Sequence, residues 1–412
     1  MLTISFDEYN MNLQSVFASC SDRGWYDWRA TGILCDRVSD LLDMAKRDML
    51  NDGRDPELFE LSCRAFLEWS KAELDDSNGE TQFIAGLIVD IWDEIYQRQN
   101  KGIDHETMLE WFLKNLNGSV IDYMEDCLFD FVGNHFDEPK LLERKLVFLE
   151  NKIKSVRDQS DGEWKRNFTI NRCHLAQLDI LAKQHKPIDE IRAFAGTISW
   201  REASEHLAEI EVSYGNNEEA ITIYKNLITQ NSKNDYEATR YRIRLKNLYK
   251  TLEMMEDYIC LLKELLLNNI GNMSFYHEYK KLYSEEEWPD KRDAIFSIIP
   301  KGNYGANAIY YEEDRFDLLM DNIEAGNDAW SLREYEAVLF YKYPDRCINI
   351  LVREANNQVV RANKRSSYRH LADTIRQIKR CPGGKSIAEE LVRDYCAKYP
   401  RRHAMIEELE RL

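Results

Sequence analysis

The chain has 412 residues, 44% apolar and 31% charged, a balance that supplies a core and a solvated exterior and argues against intrinsic disorder. Its formal charge of −18 argues against a nucleic-acid coat, which needs an electropositive footprint. With 17 Gly and 8 Pro there are too few turn formers for an all-β protein, while Leu, Glu, Lys, Arg and Ala recur at helical spacing, so nearly all of the chain reads as helix.

The opening from Met1 to Glu8 has no basic region and no long apolar core. The longest greasy run, Ile84 to Trp92, is broken by Gly86 and Asp90, so neither a signal peptide nor a membrane span is expected. Nine scattered cysteines, without a C-x-x-C or C-x-C pair, suit a reducing, cytoplasmic setting and lack the usual zinc spacing. No cofactor is expected.

In the first hundred residues, Trp25, Tyr26 and Trp28 precede a run in which Ile33, Leu34, Val38, Leu41, Leu42 and Ala45 recur at three and four, stopped by Asn51-Asp52-Gly53. Leu58, Leu61, Phe66, Leu67 and Trp69 continue the pattern to Asp75-Asp76-Ser77-Asn78-Gly79, and Ile84, Leu87, Ile88, Ile91 and Ile95 form the next helix. A calcium loop with Gly79 at position six would need ligands at Leu74 and Ala85, so the turn reads as a solvated loop in which Ser77 or Asn78 caps the following helix. Three further helical patterns lie between Asp104 and Val156, with Gly133 and Pro139 at the joints, and Asp158-Gln159-Ser160-Asp161-Gly162 reads as a linker.

Beyond it the sequence restates itself. The segment from Glu218 to Ile228 aligns with that from Glu256 to Leu266, and each is preceded by a second amphipathic run, as stacked helical hairpins require. Ala220 and Tyr224, with Leu207 and Ala208 before them, stand in tetratricopeptide-like relation, although Glu211 falls where that motif has Tyr. Echoes follow at Arg292 to Phe296, Glu313 to Leu319 and Asp345 to Leu351. The expected fold is therefore an all-α solenoid of antiparallel hairpins, a TPR-like superhelix without significant sheet. It divides into a helical-hairpin region (1–160), a repeat tract (161–300) and a C-terminal helical region (301–412).

Two long helices are expected from about Asp345 to Ala362 and Ser366 to Lys379. The following Gly384-Lys385-Ser386 lacks the first glycine of a phosphate loop, because Lys379 stands there, so Ser386 with Glu389 reads as a capping box. From Arg353 to Leu412 there are 14 basic against 8 acidic residues, and Arg361, Lys364, Arg365, Arg369 and Arg376 form a basic face that is either solvated surface or a contact for an acidic or nucleic-acid partner.

Five stretches together carry a family likeness: Trp25 to Ala30, Asp75 to Gly79, Tyr343-Pro344-Asp345, Tyr368 to Ala372, and Tyr399 to Leu409. The chain resembles the C-terminal helical region of bacterial SWIM zinc-finger proteins. The resemblance implies a helical architecture next to a zinc element that touches nucleic acid or protein, and that C-x-C…C-x-H element is missing from this sequence.

Hydrolase signatures such as G-x-S-x-G and H-E-x-x-H are absent, and Cys173 and His174, adjacent on a helix, point to different faces. The functional expectation is a non-enzymatic scaffold that holds another protein, with an accessory factor of nucleic-acid metabolism as the alternative. On the first helices of successive hairpins, Arg240, Tyr241, Arg242, Arg244, Tyr276, Tyr279 and Lys280 are the candidate contacts, Arg and Tyr being enriched where binding energy concentrates. The competing reading is that the tyrosines pack between hairpins with Arg and Lys lying over them.

Overall fold

Apolar side chains three and four apart leave each segment with one greasy stripe, which is buried by pairing with the next. The computed structural model describes residues 4–21, 24–98, 102–157, 162–232 and 235–412. Among them are 23 helices and one two-stranded sheet. The chain divides into two compact units, Met1–Ile223 and Tyr224–Leu412.

The first unit runs through α1 (Phe6–Cys20), α2 (Trp28–Asn51), α3 (Asp55–Lys71), α4 (Glu80–Gln97), α5 (His105–Asn115), α6 (Asp122–Asn134), α7 (Pro139–Arg157), α8 (Glu163–Lys183), α9 (Ile188–Ala195) and α10 (Glu202–Ser213). The division falls within α11 (Asn217–Gln230). The second unit continues with α12 (Asp235–Thr251), α13 (Met255–Asn268), α14 (Met273–Lys280), α15 (Trp288–Phe296), α16 (Ala306–Glu312) and α17 (Phe316–Gly326). It ends with α18 (Ser331–Glu334), α19 (Glu336–Lys342), α20 (Pro344–Arg361), α21 (Arg365–Arg380), α22 (Gly384–Lys398) and α23 (His403–Leu409). Successive helices pack side by side, α1 on α2, α3 on α4, α7 on α8, α12 on α13, α16 on α17 and α20 on α21, which is the expected array of helical hairpins.

Hairpin corners in both units share one turn that the sequence conceals. After α8, α10, α12 and α16 the chain turns through a left-handed residue: His185, Gly215, Glu253 and Asp314. The amide of the next residue then donates five residues back, Lys186 to Leu181, Asn216 to Glu211, Met254 to Tyr249 and Arg315 to Tyr310. This is the Schellman closure, which normally selects glycine; three of these four corners use another residue and carry its steric cost.

Buried and part-buried carboxylates peg neighbouring helices together. Glu211 receives Arg192 Nε at 2.6 Å. Glu278 receives Lys246 Nζ at 2.6 Å and the Tyr258 hydroxyl at 2.8 Å. Glu313 receives Trp288 Nε1 at 3.0 Å and pairs with Lys280. Burial opposes the ionisation of Glu278 and Glu313, but these donors outweigh it and hold both carboxyls below the ordinary range. Where the loop before α14 meets the start of α16, a Cβ on Gly305 would lie 2.0 Å from the Ile270 carbonyl oxygen, so only glycine fits.

Trp25–Tyr26 forms a short strand, parallel to Glu73–Leu74. Two local expectations are corrected. The turn before α4 is capped by neither Ser77 nor Asn78: Asp76 Oδ1 accepts the Thr81 amide at 2.9 Å, because the left-handed Gly79 folds the loop back over the helix start. Ser386 lies inside α22 rather than capping it, since the helix begins at Gly384 behind a left-handed Gly383. Gly384 packs so closely that a Cβ there would meet the Ile378 carbonyl at 1.9 Å. Of the expected linker, residues 158–161 lie outside the described residues; α7 and α8 on either side of it pack together in the first unit.

Candidate functional site

A concave surface of mixed apolar, aromatic and charged chemistry lies in the first unit between α6, α7 and α8. The apolar stripes of α7 and α8 bury Leu149, Ile153, Cys173 and Ile180 against one another, with Phe129 of α6 and Phe148 of α7 packed on that cluster. A groove of about 770 Å³ opens over Phe129 and Phe148, with Lys152, Trp164, Lys165, Arg166 and Phe168 on its walls. A second recess of about 370 Å³ shares Leu116, Phe129, Phe148 and Arg172 with it and reaches Lys145, Asp179, Lys183 and His206.

Arg172 divides the two. Its guanidinium lies 4.2 Å from the centre of the Phe129 ring. Nη2 donates to Asp130 at 3.1 Å and Nη1 pairs with Asp126, so one α8 side chain straps across to two successive turns of α6. Lys152 bridges the Leu116 carbonyl and Glu125, both at 2.8 Å.

At the rim, Trp164 and Phe168 stand one turn apart on α8. Their rings stack with centroids 5.5 Å apart and planes inclined by 16°, and Trp200 meets Phe168 edge-on at 5.6 Å. Trp164 is 78% exposed and Phe168 39%, whereas Trp69 and Trp92 of the same unit are fully buried with their indole N–H groups on Thr81 and Ser62. Two stacked aromatics in solvent beside a groove are hydrophobic surface kept at a cost, the usual mark of a recognition site.

The inner recess has its own electrostatics. Lys145 is buried, yet its ammonium donates to the carbonyls of Val132 at 3.0 Å and His135 at 2.7 Å, closing the C-terminal end of α6. Burial, reinforced by the charge of Lys183, lowers it to about 8. His206 shares a hydrogen bond of 3.0 Å with Asp179, which raises its pKa against the opposing effect of burial. Burial pushes the Cys173 thiol up to about 11, so it is no thiolate nucleophile at neutral pH. The polar groups here are committed to structure, and what remains for a ligand is an apolar floor, an aromatic rim and cations. Among the described residues, no group of three or more His, Cys, Asp or Glu side chains converges as a metal site.

The residues singled out from sequence lie elsewhere. Tyr241 and Tyr276 are fully buried and Tyr279 nearly so, which removes them from any contact surface; they pack between helices. Tyr276 and Tyr279 meet Trp288 at 5.6 and 6.4 Å. Arg240 lies over the Tyr241 ring at 5.0 Å, Arg242 pairs with Glu264 at 2.8 Å, and Lys280 is taken up by Glu313; Arg244 is exposed. The C-terminal basic residues are all exposed, but most face carboxylates. Arg365 reaches Glu408 at 2.9 Å and Glu407 at 2.6 Å, Arg369 reaches Glu408 at 3.5 Å, and Arg376 pairs with Asp373. Arg361 and Lys364 complete that face.

The α8 platform escaped the sequence reading because Trp164 and Phe168 fit an amphipathic stripe as well as any core pair. A usable signal was there: with helical spacing, Trp164 and Phe168 are flanked by Lys165 and Arg166 rather than by aliphatic residues. No helix among the described residues is long and apolar enough to cross a membrane. No family model, curated protein or solved structure matches this chain.

Proposed function

We propose that this chain is a non-enzymatic helical-hairpin scaffold that holds another protein in the groove between α6, α7 and α8. The observation that carries the reading is the solvent-exposed Trp164–Phe168 stack at the mouth of that groove. Aromatic anchors of this kind dominate the energetics of protein interfaces. Most of the groove's charged groups, Arg166 excepted, are already held in pairs, which suits recognition better than bond-making. Arginines of the basic C-terminal face spend their charge on Glu407, Glu408 and Asp373, which weighs against a nucleic-acid accessory role through that region. Cysteines buried in helical cores, such as Cys63, Cys347 and Cys381, suit a reducing, cytoplasmic setting. Kinship with the SWIM zinc-finger helical region belongs to the same proposal. The stretches that carry it include the start of α20 and the turn before α4, so it speaks for architecture rather than chemistry.

The test is affinity capture with the whole chain as bait, alongside a Trp164→Ala/Phe168→Ala double variant whose circular dichroism and melt match the wild type. A protein retained by the wild type and lost by the variant is the expected result. Identical retention by both baits, or retention abolished by nuclease, contradicts it.

A further inference from the structure

We infer that the ligand of the α6–α8 groove is an acidic peptide segment bearing one or more bulky apolar side chains, an inference that rests on the binding role proposed above. The argument is charge complementarity over an apolar floor. The chain as a whole carries −18, yet the groove and its inner recess are lined by Lys145, Lys152, Lys165, Arg166, Arg172 and Lys183 against Glu125, Asp126, Asp130 and Asp179. Asp137, just outside this lining, pairs with Lys145 and Lys183, so the excess positive charge on this acidic protein lies at the rim. The lining's four carboxylates are already engaged, Glu125 by Lys152, Asp126 and Asp130 by Arg172, and Asp179 by His206. At the rim Arg166, partly exposed beside Trp164, makes no ion pair among the described residues. Acidic ligand groups would therefore meet uncompensated positive potential at the mouth, while an aromatic or aliphatic side chain stacks on Trp164 and Phe168 and reaches toward Phe129 and Phe148.

A nucleic-acid strand fits the same lining less well. The lining's aromatic side chains could stack on bases, but phosphates would have to track past Glu125, Asp126, Asp130 and Asp179. The interleaved carboxylates favour a peptide, whose side chains can place apolar and acidic groups independently.

The experiment selects short random peptides on the immobilised full chain and measures the enriched ones by fluorescence anisotropy, with oligo(dT) as a competing probe. The expected sequences carry an excess of Asp and Glu around Trp, Phe or Leu. Their binding is lost in Trp164→Ala/Phe168→Ala and weakens by about tenfold or more in Lys165→Glu/Arg166→Glu, the effect of reversing two screened surface charges. It also weakens as salt rises. Enrichment of neutral or basic peptides, no enrichment, or binding indifferent to both variants overturns the inference. Oligo(dT) binding that disappears on charge reversal replaces it with a nucleic-acid ligand. If the capture experiment retains a groove-dependent protein while acidic peptides fail, the ligand chemistry is wrong and the scaffold reading stands; if neither binds, both fall.

Discussion

Replacing Glu313 with Ala should destabilise the second unit by about 3 kcal/mol. Its carboxylate is 6% exposed and accepts the buried Trp288 indole N–H at 3.0 Å, with Arg292 at 3.6 Å and Lys280 in contact. Losing a charged acceptor from a buried donor costs about 1.5–3 kcal/mol, and the part-exposed Lys280 pair adds no more than about 1 kcal/mol after screening. Arg292, which also pairs with Asp293, keeps a partner. For a unit of roughly 190 residues, about 3 kcal/mol corresponds to a melting shift of about 6–12 °C. Urea and thermal unfolding followed by circular dichroism and tryptophan fluorescence measure it. The pH dependence has a definite sign. Because Glu313 is held below its ordinary value of 4.5, its contribution is complete above that value and is lost as pH falls through the lowered folded value, so acid should narrow the gap between wild type and Glu313→Gln. A Glu313→Ala loss under about 1 kcal/mol, or a gap that widens in acid, refutes the view that buried carboxylates peg these helices.

Gly305→Ala should cost more than about 3 kcal/mol or prevent folding, since its Cβ would sit 2.0 Å from a carbonyl oxygen, whereas Gly86→Ala, on an open face of α4, should gain about 1 kcal/mol in urea unfolding. Glu253→Gly should raise stability by about 0.5–1 kcal/mol by relieving a left-handed corner, and a loss there would show that the Glu side chain matters more than the backbone. His206, raised above 6.5 by Asp179, contributes fully below that pH and loses its contribution as pH rises through the folded value. The stability gap to His206→Gln should therefore be widest in mild acid and close in mild alkali.

Much of the fold was legible because helices punctuate themselves. Asn51 ends α2 where the turn residues stand, Pro139 opens α7, and four of the five repeat copies lie within α11, α13, α15 and α20, while the copy from Glu313 to Leu319 begins in the α16–α17 corner and enters α17 only at Phe316. The corners were less legible, since a left-handed His185, Glu253 or Asp314 leaves no glycine to read. The capping box at Ser386 misled because its spacing is local, whereas the helix start is set by the close approach of Gly384 to Ile378, which no local pattern records. The tyrosines among the expected contact residues went astray for a related reason. An Arg-rich, Tyr-rich helix reads alike whether its tyrosines face a partner or a neighbouring helix, and only packing places Tyr241 and Tyr276 inside. The Trp164–Phe168 pair erred in the opposite direction, fitting a core stripe while standing in solvent.

The central claim is that a protein ligand sits in the α6–α8 groove, and amide hydrogen exchange of the full chain with and without a captured partner tests it most directly. The account predicts slowed exchange along the last turns of α7, around Lys152 to Val156, and along the first half of α8, from Trp164 to Cys173, with Trp164→Ala/Phe168→Ala abolishing it. Protection confined to α12 and α14, or to the exposed basic face of α20 and α21, with the α8 platform exchanging as in the free chain, would contradict it.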